Sequence, residues 1–93
     1  VRLVYSEPAV EDLRRLRNFI AEHDPGAAAR VAAKLVERMA ALVDFPRLGI
    51  PVSRAPDPDT VRDLILDDYI VRYSRHAETI VVLRVWHHRE NRA

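Results

Sequence analysis

The run Ile80-Val81-Val82-Leu83-Arg84-Val85-Trp86-His87-His88-Arg89-Glu90-Asn91-Arg92 constrains this chain more than any other stretch. Ile80 to Leu83 have no polar residue to turn toward water, so the strand they form belongs inside a sheet, with both faces covered. The same run closes on a tryptophan, two histidines and arginines. A buried strand thus carries hydrogen-bonding and titratable groups to one end of a sheet on a rigid element. That is where a small domain places a binding or catalytic surface.

The 93 residues suffice for one domain, spanning 1–93, with a single core and no staples. With no cysteine in the chain, disulfides and thiolate metal sites are excluded. No apolar run approaches the roughly 18 residues of a membrane span, and no signal-peptide pattern opens the chain. A soluble, cytoplasmic protein without a membrane partner is expected. Fifteen bases face fourteen acids, for a net charge of +1, and Lys34 is the only lysine among them. Arginine suits planar, bidentate pairing with carboxylate or phosphate; a GC-rich genome yields the same excess. A balance this close to zero argues against strong direct DNA binding, which wants a strongly basic domain.

The periodicities give the elements. Arg2 to Tyr5 leans to strand. Ser6-Glu7-Pro8 reads as a helix start, with Ser6 as cap, Pro8 in the first turn, and Glu7, Glu11 and Asp12 at the positive end of the dipole. Ala9, Leu13, Leu16 and Ile20 form its buried stripe. Asp24-Pro25 then caps a second helix predicted over 25–45. Its stripe is Ala28, Val31, Leu35, Met39 and Leu42, widened by Ala32, Val36 and Val43. So short a join makes the two helices an antiparallel hairpin. Phe45-Pro46-Arg47-Leu48-Gly49 ends the second helix, and residues 50–60, with Pro51, Pro56, Asp57, Pro58 and Asp59, read as a loop. Strands follow over 61–66, 69–75 and 79–88, joined by turns short enough to force an antiparallel meander. Tyr69, Val71 and Tyr73 fall on one face, and Ile70, Arg72 and Ser74 on the other. The expected fold is α+β, in the order β-α-α-β-β-β, with the helical hairpin on one face of a mainly antiparallel four-stranded sheet.

This order resembles the ParE/RelE superfamily of bacterial toxins from type II toxin–antitoxin systems. The resemblance covers nearly the whole chain. It rests on Pro8-Ala9-Val10-Glu11-Asp12-Leu13, Phe45-Pro46-Arg47-Leu48-Gly49, Val61-Arg62-Asp63-Leu64, Tyr69-Ile70-Val71-Arg72-Tyr73 and Ile80 through Arg89, all in order and at family spacing. It implies a toxin neutralised by a cognate antitoxin that is partly disordered when free, with growth arrest and plasmid stabilisation as associated outcomes. RelE-type members cut messenger RNA on the ribosome with a set of lysines and arginines on the sheet. ParE-type members lack most of that set and poison DNA gyrase. In this chain Arg62 and Arg89 match the nuclease pattern. Leu64 and Ile70 stand where it asks for bases, and no tyrosine follows Arg89. The chain is therefore closer to ParE, acting by binding and not as an enzyme. The alternatives are a ribosome-dependent endoribonuclease and a domain of the same fold without toxicity.

The residues expected to matter follow from these readings. Arg62, Arg72, Arg84, Trp86, His87, His88 and Arg89 are the candidates for target contact, with the arginines expected to include a basic, exposed sheet face. Arg62, Arg89, His87 and His88 are the catalytic set if the chain is a nuclease: a base, an acid and a cation for the phosphorane. Trp86 is read as core or rim. Ala32, Val36 and Val43 are candidates for antitoxin contact, because the second helix is too apolar for one neighbour alone. Adjacent His87 and His88 point to opposite faces of a strand, and no third ligand stands nearby, so neither a metal nor a cofactor is expected.

Overall fold

The computed structural model of the protein describes residues 1–57 and 60–90. Pro58 and Asp59 of the expected loop, and Arg92 of the C-terminal cluster, lie outside the described residues. The elements run β1 (Arg2–Tyr5), α1 (Glu7–His23), α2 (Pro25–Ala40), a 3₁₀ turn (Ala41–Val43), β2 (Ile50–Pro51), β3 (Val61–Leu66), β4 (Tyr69–Arg75) and β5 (Thr79–His87). They form one sheet in the order β1-β5-β4-β3-β2. β1 pairs in parallel with β5, and every other pair is antiparallel. The expected α+β arrangement is present, with a correction of strand count from four to five. Residues 50 and 51, read as loop, pair with Asp63 and Arg62 and extend the sheet by one short strand. The second helix is also shorter than the expected 25–45. Its α-helical part stops at Ala40, where the Ala41 N–H turns back to the Arg38 and Met39 carbonyls and tightens the last turn.

Short polar side chains make the corners. Ser6 caps α1 by accepting from the Ala9 N–H at 3.2 Å, and its own N–H donates to the Val82 carbonyl at 2.9 Å. Asp24 serves both helices. Its N–H donates to Ile20 O at 2.8 Å while its carboxylate accepts from the Ala27 N–H at 3.1 Å. One residue between two helices leaves no slack, so the hairpin folds back on itself. The stripes then meet the sheet: Ala9, Leu16, Leu35, Met39 and Leu42 join Leu64, Leu66, Val71, Tyr73, Ile80, Val82 and Val85 in one buried cluster. Among the described residues, no helix is long and apolar enough to cross a membrane.

β5 lies between β1 and β4, as its aliphatic run requires. Its register carries a bulge. Arg72 pairs with Arg84 but Tyr73 pairs with Val82, so Leu83 has no partner across the ladder. A bulge shifts the alternation of everything after it by one residue. Ile80 and Val82 face the helices. Plain alternation would next send Arg84 and Trp86 inward; the bulge sends Val85 and His87 there instead, and turns Arg84 and Trp86 to the far face.

The Phe45–Gly49 segment is held by one phenol. Tyr73 Oη donates to Pro46 O at 2.8 Å and accepts from the Gly49 N–H at 2.9 Å. The buried Arg62 guanidinium donates to Gly49 O at 2.8 Å. A Cβ on residue 49 would stand 2.8 Å from a Tyr73 ring carbon and 2.9 Å from Asp63 O. Gly49→Ala is therefore expected to cost about 1–3 kcal/mol through overpacking against backbone that cannot retreat. Urea unfolding checks this, and a loss under about 0.5 kcal/mol, the scale of an ordinary surface change, would show that the loop rearranges freely.

Candidate functional site at the end of the central strand

β1 ends at Tyr5, opposite Val82, so the second half of β5 has no strand on that side. Buried backbone groups still need partners, and side chains supply them. Ser6 Oγ donates to Leu83 O at 2.9 Å, and Asp12 accepts from the Val85 N–H at 3.0 Å. Arg15 donates to Val85 O at 3.4 Å, and Glu90 accepts from the His87 N–H at 2.8 Å. The same groups form a charged chain. Arg84 makes a bidentate pair with Asp12 at 2.7 and 3.0 Å, and Arg15 bridges Asp12, at 3.3 Å, to Glu90. Burial by itself would raise the Asp12 pKa. The bonds from Arg84, the Val85 N–H and Arg15 outweigh it and hold the carboxyl below its ordinary value. The strand edge is thus sealed by α1, and its terminal turn is latched to that helix through Glu90.

Beside the latch lies an open cleft of about 660 Å³. Leu16, Phe19, Ile20 and Tyr69 form its apolar walls, and Arg15, His87, Arg89 and Glu90 its polar rim. Phe19 is 63% exposed although it stands one turn from buried Leu16 on the same side of α1. His87 meets Tyr69 edge-on, with centroids 5.3 Å apart. Its Nδ1 accepts from the Arg89 N–H at 3.1 Å, so in the neutral ring the proton sits on Nε2. Burial pushes the Tyr69 phenol up, and the nearby Asp68 and Glu90 carboxylates add to it. This arrangement suits an apolar side chain accompanied by hydrogen-bond acceptors.

The predicted site residues scatter more widely than the sequence suggested. His87 and Arg89 come together in the cleft. His88 turns away, with Nδ1 3.2 Å from Asp68 O. Arg72 lies on the far sheet face in a bidentate pair with Asp63 at 2.8 and 3.0 Å, its guanidinium 5.1 Å from the Trp86 ring centre. Trp86 is buried, at 8% exposure, but beneath Arg72 and not among the residues of the main core cluster. Arg62 was one of four arginines expected to include an exposed, basic sheet face. The structure corrects this: it shares the helix-side face with its cross-strand partner Tyr73 and is 5% exposed. Val36 is half exposed, while Ala32 and Val43 are partly buried; none of the three lines the cleft. Among the described residues, no three His, Asp or Glu side chains gather as metal ligands would.

Sequence reasoning missed Asp12, Arg15, Phe19 and Glu90 as parts of this site. One signal was present. Asp12 falls between Ala9 and Leu16 on the apolar stripe of α1, where a carboxylate must find buried donors. Reading it only as a dipole partner overlooked that constraint.

Known proteins share the family and the fold. The profile of the family described as ParE toxin of type II toxin–antitoxin system, parDE, matches residues 3–92. The chain is similar to Toxin RelE1 of Caulobacter vibrioides, with 31% identity over 94 residues, covering 97% of this chain and 96% of that protein. Its fold matches a solved chain of the chromosomal ParDE system from P. aeruginosa with a TM-score of 0.80 and 23% identity, over 94% of this chain and 95% of that one. It also matches a chain of the RelBE2 toxin–antitoxin complex from Mycobacterium tuberculosis, with a TM-score of 0.68 and 24% identity, over 92% and 88%. Near-complete coverage by the family profile, together with the helical hairpin laid on its sheet, places the chain in the ParE toxin family of type II toxin–antitoxin systems, within the ParE/RelE superfamily.

Proposed function

We propose that this toxin acts by binding DNA gyrase and does not cleave RNA, and that a cognate antitoxin covers it until it is released. The observation that carries this reading is the fate of the arginines. Cleavage of a phosphodiester needs cations free to take up charge as it develops. Arg62 is buried on Gly49 O, Arg72 is engaged by Asp63 and Arg84 by Asp12. Leu64 is buried in the core, and Ile70 lies beside Trp86's strand; neither can move a proton or hold a phosphate. A cleft with apolar walls and a hydrogen-bonding rim suits a protein partner.

The antitoxin reading draws on the two solved neighbours, which come from toxin–antitoxin systems. It also draws on the exposed apolar side chains of Val36, Phe45, Leu48 and Ile50. Exposed side chains of this kind invite the apolar face of a partner helix or an added strand, with Ala32 and Val43 as further candidates for contact.

A second reading, ribosome-dependent cleavage of messenger RNA, is favoured by one observation: His87 and the Arg89 side chain share one cleft. Among the described residues, no acceptor engages the Arg89 guanidinium. Gyrase supercoiling and toeprinting on translating ribosomes separate the two. The expected result is blocked supercoiling with intact messenger RNA. Substitutions His87→Ala and Arg89→Ala should each weaken inhibition by no more than about tenfold, as contacts sharing one interface do. Ribosome-dependent cleavage that falls by about 10² or more on either change, the scale of a general acid or base, would replace the binding reading with the enzymatic one.

A further inference from the structure

The opposite end of β5 carries a second recessed surface that none of the functional readings uses. It is a cavity of about 410 Å³. Its walls are Val1, Pro46, Arg47, Arg75, His76, Ala77 and Ile80, with no acidic residue among the described residues that line it. It opens about 23 Å from the His87 cleft, seven residues back along the strand at some 3.3 Å each.

Three features make this cavity a built site. Arg47 sits in the turn clamped on either side by Tyr73, whose phenol donates to Pro46 O and accepts from the Gly49 N–H. Arg75 is partly buried at the end of β4, and its backbone N–H is fixed on Thr60 O at 2.8 Å. His76 is held by a hydrogen bond between its Nε2 and Ser74 Oγ at 3.0 Å, and that serine is itself buried. Among the described residues, neither the Arg47 nor the Arg75 guanidinium has an acceptor, whereas Arg72 and Arg84 are each closed by a carboxylate. Among the described residues, two arginines without a counter-charge therefore line one recess, beside His76 and the aliphatic side chains of Val1, Pro46, Ala77 and Ile80.

We infer that this recess is a recognition site for a carboxylate carried next to a branched aliphatic group, as presented by an acidic, aliphatic segment of a partner protein. Guanidinium forks match a planar carboxylate, and the Pro46, Ala77 and Ile80 walls take the apolar neighbour. A nucleic-acid backbone fits less well. It calls for a stripe of cations along a path, and here two arginines line a single recess in a protein of net charge +1. The inference does not depend on which target the toxin inhibits.

The test uses the full ¹⁵N-labelled chain at low salt, titrated separately with isovalerate, acetate and inorganic phosphate at matched ionic strength. The Arg47 and Arg75 Nε–H signals and the Ala77 and Ile80 amides are followed by NMR. Isovalerate should give saturable shifts at these four residues. It should bind about tenfold more tightly than acetate, because its extra carbons are partly buried, and more tightly than phosphate. Arg47→Gln and Arg75→Gln, both changed outside the buried core cluster, should each weaken it about tenfold while leaving the remaining spectrum in place. Tighter binding of phosphate would assign the recess to phosphate-bearing partners and overturn the inference. Shifts that never saturate, or saturation unchanged in both variants, would overturn it as well.

Discussion

Asp12→Asn is expected to cost about 3 kcal/mol of folding stability near neutral pH, the lower end of what losing one partner of a buried ion pair costs. The Asp12 side chain is 5% exposed, yet it answers Arg84, Arg15 and the Val85 N–H together. Removing its charge leaves two guanidiniums facing a neutral amide. The cost stays at the lower end because Arg84 and Arg15 are 42% and 35% exposed and water can reach them. The pH dependence follows from linkage. The folded carboxyl titrates below its ordinary 3.8, so as pH falls the unfolded chain takes up this proton first. The stabilisation from Asp12 is complete above about pH 5 and disappears as pH drops through the folded value. Urea unfolding of both proteins from pH 7 to pH 3 should show a constant gap down to about pH 5 that narrows progressively below pH 4. A gap as wide at pH 3 as at pH 7 would mean that the charge of Asp12 is not what holds α1 to β5.

Leu35→Ala should be about as costly, at 2–5 kcal/mol, from lost burial and the cavity left behind. Leu35 is 4% exposed and belongs to the cluster that joins α2 to the sheet. Its neighbour Val36 is 48% exposed on the outer side of the same helix. Val36→Ala should change stability by no more than about 0.5 kcal/mol. The contrast between adjacent residues tests the helix face directly. Near-equal losses on thermal unfolding would mean that α2 is rotated about its axis relative to the sheet. If Val36 also meets the antitoxin, the same substitution should weaken the complex while leaving the free toxin as stable as before.

The periodicity that identifies Leu35 as core was legible in the sequence, and so was most of the architecture. Ala9, Leu13, Leu16 and Ile20 on one stripe, then Asp24-Pro25, define a helical hairpin because 3.6-residue spacing and capping chemistry act within a few residues. The short turns at 67–68 and 76–78 leave β3, β4 and β5 no choice but to pair as neighbours, and four aliphatic residues place β5 inside the sheet. Two-residue β2 was not legible, since a strand containing Pro51 exists only because β3 lies beside it.

The site was harder to read because it depends on contacts between residues far apart in the chain. Asp12 and Arg84 are separated by 72 positions, and nothing near either one names the other. The bulge at Leu83 decides that Val85 and His87 face the helices while Arg84 and Trp86 do not. No alternation in Val81-Val82-Leu83-Arg84-Val85-Trp86 marks it, because both faces of a central strand accept apolar side chains. Arg62, Arg72, Arg84 and Arg89 are alike as letters. Burial and a fixed acceptor close the first, a carboxylate closes each of the next two, and Arg89 alone of the four stands over the cleft. Local spacing sets the two helices, the four longer strands, their order and the burial of the central strand. Which charges remain available is settled by the folded chain, because an arginine's partner is chosen by where the backbone brings a carboxylate or carbonyl within about 3 Å.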